Sequence, residues 1–261
     1  MKLFTIFGNP VSHSKSPLIH NSVFKKYALD HRYIRTAIED GKTIPDVMKN
    51  LNISGASVTV PHKEVAFQIC DEVQGVARDI GAVNCLVRNN CGKIIGYNTD
   101  GDGFIHSIRD WKFEKILIVG AGGTAKAIVH SFINQGFKNV SIVNRSLNRL
   151  KDFENLCISV NTWDNLKIDS FDLIVNVTSA GLKDDLLPMP KEILEALFEK
   201  GKYVVDAIYH ETPFLRLAKE KGLETKDGSD MLVYQGVLAN SIFLERKISK
   251  ELIEKEMIKI F

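Results

Sequence analysis

The stretch Lys115-Ile-Leu-Ile-Val-Gly-Ala-Gly-Gly-Thr-Ala125 is the most informative part of this chain. A continuous apolar run of this kind is typical of a buried strand, and glycines directly after it allow a tight turn close to a pyrophosphate. Gly120 and Gly122 take the first two positions of the pattern G-x-G-x-x-G/A, and Ala125 is its small third residue. The helix that follows presents its N-terminal amides to phosphate groups. The stretch therefore predicts a dinucleotide-binding turn.

The end of the next apolar run indicates which dinucleotide is bound. Val140-Ser-Ile-Val143 is followed by Asn144, Arg145 and Ser146, with Arg149 close behind. A ribose 2′-hydroxyl is usually held at this point by an Asp or Glu, and the sequence has neither here. Because an Arg suits a 2′-phosphate, the sequence predicts NADP rather than NAD as the cofactor.

Bulk composition excludes several other classes of protein. The chain has 261 residues, of which 44% are hydrophobic and 25% charged, as in ordinary globular proteins. A formal net charge of +2 without a Lys/Arg stripe argues against a nucleic-acid partner. No apolar run approaches the ~20 residues of a membrane span, and the first residues resemble a strand rather than a signal peptide, so a cytoplasmic location is expected. The cysteines form no C-x-x-C pair, so reduced thiols and no metal site are expected at Cys70, Cys85, Cys91 and Cys157.

Periodicity predicts a two-domain α/β fold. Strands alternating with helices favour parallel sheets with right-handed crossovers. Besides the run before Gly120, strands are expected near residues 2–7, 31–36, 54–60, 82–87, 93–97, 140–143, 172–175 and 203–206. Helices are expected near residues 17–28, 43–51, 62–69, 102–110, 147–155, 190–198 and 213–221, from about 124, and throughout 231–261.

Domain boundaries follow from the position of the glycine turn, which more than a hundred residues precede. Residues 1–102 are expected to form one α/β domain, and residues 103–228 a Rossmann-type, doubly wound NADP-binding domain. The C-terminal helices of residues 229–261 are expected to fold back on the first domain. Ligands of such folds lie at domain junctions and at the carboxyl ends of strands.

Two hydroxyls precede the first predicted helix. Pro17 suits the first turn of a helix, and Ser16 suits its N-cap. Ser14 and Ser16 then lie beside a helix N-terminus, where a carboxylate is favoured. A capped helix with no ligand explains Ser16 and Pro17 but not Ser14, and both interpretations stay open.

Three other polar residues among the first hundred are candidate functional residues. Pro61 ends a predicted strand and leaves Lys63 in the first turn of a helix, where a cation is unusual; the alternative is a solvated lysine. Asp100 closes a string of turn-forming residues just before the helix that links the domains. Asn84 interrupts an apolar strand pattern, either as a satisfied core amide or as a ligand contact.

With these residues assembled, the chain closely resembles the shikimate dehydrogenase family over nearly its whole length. The resemblance implies NADPH-dependent, reversible reduction of the 3-keto group of 3-dehydroshikimate to shikimate by an oxidoreductase that is a monomer or a homodimer. Its motifs are S-x-S-P at 14–17, V-T-x-P-x-K at 58–63, G-A-V-N at 81–84, N-T-D at 98–100, G-A-G-G at 120–123, N-R-[ST] at 144–146 with Arg149, N-x-T-S-x-G at 176–181, V-D-x-x-Y at 205–209 and M-L-x-x-Q at 231–235.

The resemblance also assigns roles to individual residues. Lys63 and Asp100 are implied as the catalytic pair. The implied substrate-binding residues are Ser14, Ser16, Thr59, Asn84, Tyr209 and Gln235. The implied cofactor-binding residues are Gly120, Ala121, Gly122, Gly123, Thr124, Ala125, Asn144, Arg145, Ser146, Arg149, Thr178, Ala207 and Gly228.

Two departures from the family and several alternatives remain. Ser57 stands where the family often has an Asn that contacts substrate, and His210 stands where it often has Pro. Whether Lys63 acts as a true acid and base or chiefly as a cation stays open. Rival functions are a quinate dehydrogenase of the same fold, a non-catalytic NADP-binding sensor, and a methylenetetrahydrofolate dehydrogenase-like enzyme, which does not explain Ser14, Ser16 and Gln235.

Overall fold

The chain divides into two compact units. A computed structural model describes residues 1–260. Over these residues one unit comprises Met1–Gly103 with the chain from Leu232 onward, and the other comprises Phe104–Met231. Within the same residues, no helix is both long and apolar enough to cross a membrane.

The first unit begins with alternating strands and helices, as the periodicity predicts. Its first half contains β1 (Lys2–Gly8), α1 (Ser16–Lys26), β2 (His31–Ala37), α2 (Ile44–Asn50), β3 (Ile53–Val58) and α3 (Lys63–Gln68). The chain continues through β4 (Glu72–Val73), α4 (Ala77–Ile80), β5 (Cys85–Arg88), β6 (Ile94–Tyr97) and α5 (Asp100–Ser107). Helix α5 carries the chain into the second unit.

The second unit repeats the alternation after α5. Its elements are β7 (Lys115–Val119), α6 (Gly123–Asn134), β8 (Asn139–Asn144), β9 (Ser159–Thr162), β10 (Leu173–Asn176), α7 (Lys191–Phe198), β11 (Tyr203–Asp206), α8 (Pro213–Glu220) and β12 (Glu224–Lys226). Helix α9 (Ser229–Phe243) returns the chain to the first unit, where α10 (Lys250–Met257) follows.

The sheet of the first unit is mixed rather than parallel. Its strand order is β2-β1-β3-β5-β6-β4. Strand β1 is parallel to β2 and β3, but β5 is antiparallel to both β3 and β6. The expectation of a parallel sheet is wrong here because β5 and β6 are joined by a short hairpin, closed by a hydrogen bond from Asn89 N to Lys93 O, and such a turn cannot connect parallel strands.

The sheet of the second unit is parallel in every strand pair, in the order β12-β11-β10-β7-β8-β9. Central strand β7 is buried on both faces. Ile116 and Ile118 pack into one apolar cluster, and Leu117 and Val119 pack into the cluster on the other side. Because successive side chains of a strand point to opposite faces, a strand covered on both sides is apolar at every position. This explains the continuous run before Gly120.

Two helix predictions are wrong. Residues 147–155 form two 3-10 turns, Leu147–Arg149 and Lys151–Phe153, instead of an α-helix. The chain after Met231 is not helical throughout, since α9 stops at Phe243. Glu245 and Arg246 have positive φ angles of 53° and 59° there. A left-handed conformation ends a helix, and the bond from Arg246 N to Ser241 O closes this end.

Candidate active site

Lys63 and Asp100 form a buried ion pair in the first unit. The distance from Lys63 Nζ to Asp100 Oδ2 is 2.6 Å, and the two side chains are 12% and 7% exposed. Strand β3 ends at Val58 and α3 begins at Lys63, so the lysine lies in the first helical turn, as predicted. Asp100 is the first residue of α5, where the helix dipole stabilises a carboxylate. The negative charge of Asp100 offsets the unfavourable interaction of the Lys63 ammonium with the dipole of α3. Because Lys63 is buried and paired, the solvated-lysine alternative is wrong.

Asn84 and its neighbours fix the orientation of Asp100. Asn84 Nδ2 donates to Asp100 Oδ1 at 2.7 Å and to Thr99 Oγ1 at 3.0 Å. Thr99 N donates back to Asn84 Oδ1 at 2.8 Å, and Asp100 N donates to Asn98 Oδ1 at 3.0 Å. One carboxylate oxygen thus faces the lysine and the other faces the amide. Asn84 is a satisfied buried amide, and the group that it satisfies is the partner of Lys63.

Gln235 joins this network from α9. Its Oε1 lies 3.5 Å from Thr99 Oγ1, and its Nε2 donates to Leu232 O at 2.9 Å. A Cβ placed on Gly103 would lie 2.6 Å from Gln235 N, so the backbones of α5 and α9 touch where Gln235 is held. The structure therefore links Lys63, Asp100, Asn84 and Gln235 through Thr99.

Ser14 and Ser16 form a second polar pair, at the start of α1. Ser14 Oγ donates to Ser16 Oγ at 3.2 Å, and it accepts from Ser16 N at 3.2 Å. Ser16 is the first helical residue and Lys15 occupies the cap position, so the prediction that Ser16 is the N-cap is wrong by one residue. The Ser14 hydroxyl satisfies a free amide of the first turn instead.

Arg35 is a supporting residue that the sequence did not indicate. Its Nε and Nη2 donate to the carbonyl oxygen of Ser14 at 2.9 and 2.5 Å, so β2 holds the loop before α1. Thr59 follows β3, and its backbone N donates to Phe7 O at 2.8 Å, which continues the pairing with β1. Thr59 is half-buried at the end of these central strands.

A buried tyrosine is hydrogen-bonded to Ser57, the position of one departure from the family pattern. Tyr33 Oη donates to Ser57 Oγ at 2.7 Å, and its ring stacks on His20 with centroids 4.3 Å apart. Burial raises the pKa of Tyr33, so the phenol stays a donor. Burial lowers the pKa of His20 to about 3, so the stacked ring is neutral. Because the Ser57 oxygen accepts from Tyr33, its own proton is left to donate.

The glycine turn of the second unit has the geometry that a pyrophosphate needs. Gly120 has φ +109°, and a Cβ there would lie 2.9 Å from Thr178 Cγ2, so only glycine fits. A Cβ on Gly122 would meet nothing within 4 Å, which leaves open space over the start of α6. Helix α6 begins at Gly123, so the amides of its first turn directly follow the turn that Gly120, Ala121 and Gly122 form. Ala125, the small residue of the pattern, is fully buried.

Exposed cations lie at the same sheet edge as the turn. Strand β8 pairs in parallel with β7, and Gly120 N donates to Val143 O at 2.8 Å. Asn144 Nδ2 donates to Ser146 O at 3.0 Å, which fixes the segment between them. Arg145 and Arg149 are exposed beside it. Two guanidinium groups next to a phosphate turn fit the 2′-phosphate of NADP.

The remaining predicted cofactor residues follow β10, β11 and β12. Thr178 contacts the turn at Gly120, as described above. A Cβ on Gly228 would lie 2.6 Å from the carbonyl carbon of Ala207, and Gly228 N donates to Ile208 O at 2.9 Å. Tyr209, predicted for the substrate pocket, lies in the second unit in the loop after β11. In the same loop, His210 Nε2 lies 3.0 Å from Gly181 O.

Family models match both units of the chain. The model described as "Shikimate dehydrogenase substrate binding domain" matches residues 6–86, and "Shikimate / quinate 5-dehydrogenase" matches residues 105–212. A curated relative, shikimate dehydrogenase (NADP(+)) from Helicobacter hepaticus, is 39% identical over 260 residues, which cover 99% of this chain and 97% of the relative. The chain belongs to the shikimate dehydrogenase family.

Solved structures agree with this assignment. Shikimate dehydrogenase 1 from Peptoclostridium difficile is 29% identical with a TM-score of 0.90, over 100% of this chain and 98% of that chain. Shikimate 5-dehydrogenase from Thermus thermophilus, solved with NADP(H) and shikimate, is 31% identical with a TM-score of 0.85, over 100% of both chains. The resemblance drawn from the motifs and the two-domain α/β fold class are confirmed.

Asp206 is fully buried at the end of β11. Burial raises the pKa of this carboxyl from 3.8 to about 6, while its hydrogen-bond donors and nearby His210 act in the opposite direction. This carboxyl therefore binds more protons in the native protein than in the unfolded chain between these values, and its contribution to the free energy of unfolding rises as the pH falls through about 6.

We expect this proton uptake to be absent from Asp206→Asn. Between about pH 7 and pH 4, the free energy of unfolding of the unsubstituted protein should increase over that of the variant by up to about 3 kcal/mol. Urea unfolding of both proteins at each pH measures the difference. The same pH dependence in both proteins would contradict the raised pKa.

Proposed function

We propose that this protein is an NADP-dependent shikimate dehydrogenase that reversibly reduces the 3-keto group of 3-dehydroshikimate to shikimate. The observation that carries the proposal is the buried Lys63–Asp100 pair at 2.6 Å, in a chain of this family. The first unit would be the substrate-binding and catalytic domain, and the second the NADP-binding domain. The relative from Helicobacter hepaticus carries NADP(+) in its name, which agrees with the cations after β8.

In this proposal Lys63 manages charge and one proton. When bound, NADPH supplies the hydride. As the substrate carbonyl becomes an alkoxide, the Lys63 ammonium stabilises the oxygen and donates a proton to it. In the direction of oxidation, the neutral amine accepts the proton from the alcohol. A nearly dry environment strengthens the interaction, because less water screens the ammonium from the developing negative charge.

Asp100 has the capacity to hold Lys63 and substrate together. A carboxylate has about four lone-pair positions, and the bonds to Lys63 and Asn84 occupy two of them. A third can accept a hydrogen bond from a substrate hydroxyl next to the reacting carbon. Asn84 prevents rotation of the carboxylate, so the ammonium and the acceptor oxygen keep a fixed separation.

The serine pair suits the carboxylate of the substrate. Ser14 and Ser16 lie at the start of α1, where backbone amides and the helix dipole favour an anion. Both hydroxyls can turn their protons toward a carboxylate, and Arg35 keeps the Ser14 backbone in place. Thr59, Tyr209 and Gln235 would complete the contacts to the substrate.

Residues of the second unit would hold the cofactor along the carboxyl edge of its sheet. Amides of the Gly120–Ala125 turn, with Thr124 among them, would bind the pyrophosphate. Asn144, Arg145, Ser146 and Arg149 would bind the 2′-phosphate. Thr178, Ala207 and Gly228 would line the nicotinamide end.

Quinate is the competing substrate, because the family matched by residues 105–212 is described as shikimate / quinate 5-dehydrogenase. The deciding assay follows NADPH absorbance with shikimate or quinate and each oxidised cofactor. We expect the highest kcat/KM with shikimate and NADP. A preference for quinate would change the assigned substrate, and no turnover of either would refute the proposal.

Lys63→Ala should lower kcat by about a hundredfold or more, because proton transfer and alkoxide stabilisation are both lost. NADPH binding, measured by fluorescence titration, should not change. Exposed Lys42→Ala is the control for the loss of one positive charge. Unchanged turnover in Lys63→Ala would remove this lysine from the mechanism.

Arg145→Ala should weaken NADPH much more than NADH, since only NADPH carries the 2′-phosphate. Loss of one charged hydrogen bond corresponds to a rise in KM for NADPH of roughly tenfold or more. Lys151→Ala, another exposed cation in this region, separates a specific contact from a general loss of charge. Equal losses for the two cofactors would refute the assignment of the 2′-phosphate site.

A further inference from the structure

Asp206 is an acidic residue in a place that otherwise holds apolar side chains. It ends β11 directly opposite Asn176, which ends the neighbouring parallel strand β10. Both side chains are completely buried, and the residues before them, Val175 and Val205, belong to the apolar core. A buried carboxylate is unfavourable unless hydrogen bonds replace its water, so its contacts decide what it does.

Three donors from three segments converge on this carboxylate. Asn176 Nδ2 donates to Oδ2 at 3.0 Å, and Thr212 Oγ1 donates to the same oxygen at 2.7 Å. Ile208 N donates to Oδ1 at 3.0 Å. Asp206 therefore ties together the end of β10, the loop after β11 and the start of α8.

The carboxylate also determines the orientation of the Asn176 amide. An amide has donors on one side and an acceptor on the other. Because its nitrogen faces Asp206, its oxygen faces Thr178 and accepts from Thr178 N at 3.0 Å and Thr178 Oγ1 at 2.8 Å. The threonine that packs on the Gly120 turn is thus held, through one intervening residue, by Asp206.

The bond to Ile208 acts on the other loop in the same way. Ile208 lies between Ala207 and Tyr209, and its carbonyl accepts from Gly228 N at 2.9 Å. Fixing Ile208 N consequently fixes the backbone on both sides of it. One carboxylate holds the loops that carry Thr178, Ala207, Tyr209 and Gly228.

We infer that Asp206 is a positioning residue that sets the nicotinamide end of the cofactor site by holding the loops after β10 and β11 in one arrangement. This role rests on the proposed function, which places Thr178, Ala207 and Gly228 against the nicotinamide. Asp206 does not touch the reacting atoms; it acts through Asn176 and Ile208.

An amide cannot replace the Asp206 carboxylate in this arrangement. In Asp206→Asn, if the oxygen of the new amide faces Ile208 N, its NH₂ group meets the Asn176 amide nitrogen, and two donors face each other. Turning either amide moves the conflict to Ile208 N or to Thr178 N. An isosteric substitution therefore leaves a buried N–H without an acceptor and shifts one of the two loops.

The test compares Asp206→Asn with the unsubstituted enzyme. We expect kcat to fall roughly ten- to hundredfold, as for a small misplacement of reacting groups. With NADPH deuterated at the transferred position, the primary isotope effect on kcat should rise, because hydride transfer becomes slower relative to the other steps. Binding of 2′,5′-ADP, which lacks the nicotinamide, should be unchanged, while NADPH affinity falls.

Two further variants control the experiment. Asp172→Asn changes another aspartate, which directly precedes β10 at the opposite end of the strands. Asp172 accepts hydrogen bonds from Glu114 N and Lys115 N, both at 2.9 Å. This variant should have a lower stability and an unchanged isotope effect. The double variant Asp206→Asn with Asn176→Asp exchanges the amide and the carboxylate. The amide at position 206 can then donate to the carboxylate at position 176, and that carboxylate still accepts from Thr178. We expect it to recover part of the lost kcat.

Unchanged kcat in Asp206→Asn would overturn the inference. The inference would also be overturned if kcat fell only in proportion to the number of 2′,5′-ADP binding sites and the isotope effect did not change. Such a result would mean that part of the variant protein is unfolded. If the unsubstituted enzyme does not oxidise shikimate at all, the proposed function fails instead. The ratio of NADPH to 2′,5′-ADP affinity then still tests Asp206, since it falls in the variant only if the nicotinamide end is disturbed.

Discussion

The buried ion pair of Lys63 with Asp100 constrains the first unit, because it fixes the start of α3 against the start of α5. Removing two charges from water costs several kcal/mol for each ion, and only a short contact with further hydrogen bonds offsets this cost. The 2.6 Å bond and the Asn84 amide provide both. Loss of either charge would leave the other buried without this 2.6 Å contact. The surrounding segments must therefore keep the two residues together.

Both sheets place the candidate site residues where strands end. Lys63 follows the end of β3, while Gly120, Asn144, Asn176 and Asp206 follow or close the parallel strands of the second unit. Interior strand positions are needed for packing on the two faces, so polar groups are tolerated mainly at the edge. In the second unit the glycine turn is not the only ordered feature at this edge, because buried Asp206 also holds the loops after β10 and β11. Precise loop geometry is thereby built on rigid strands.

Features with strong local causes could be predicted from the sequence. The glycine turn, the lysine in the first turn of α3 and the main strands each follow from backbone conformation or hydrophobic period. Where two local causes compete, prediction was poorer. Ser16 suited an N-cap, but Ser14 reaches the amide and moves the helix start. The helix expected at 147–155 is broken into 3-10 turns, and left-handed residues interrupt the C-terminal helical run.

Contacts between residues distant in sequence could not be predicted. The hydroxyl of Ser57 is expected to be able to form a hydrogen bond, but the sequence does not show that Tyr33, 24 residues away, is bonded to it. Arg35 of β2 donates to the backbone carbonyl of Ser14. Asp206 is part of the motif V-D-x-x-Y, but the motif does not show which groups it binds. Short strands such as β4 and β12 contain too few residues to show a period, and pairing with neighbours alone defines them. The motifs therefore indicate which residues belong to the site, but their hydrogen-bond partners are known only from the tertiary structure.

In the proposed mechanism the amine of Lys63 itself serves the reacting oxygen, and Asp100 holds it there. The most direct measurement is chemical rescue: shikimate oxidation by Lys63→Ala is followed while methylamine is added at constant pH and ionic strength. We expect a saturable recovery of turnover that depends on the concentration of free amine, and no recovery when Asp100→Ala is combined with Lys63→Ala. Failure of every small primary amine to restore turnover in a variant that still binds shikimate and NADPH would contradict it.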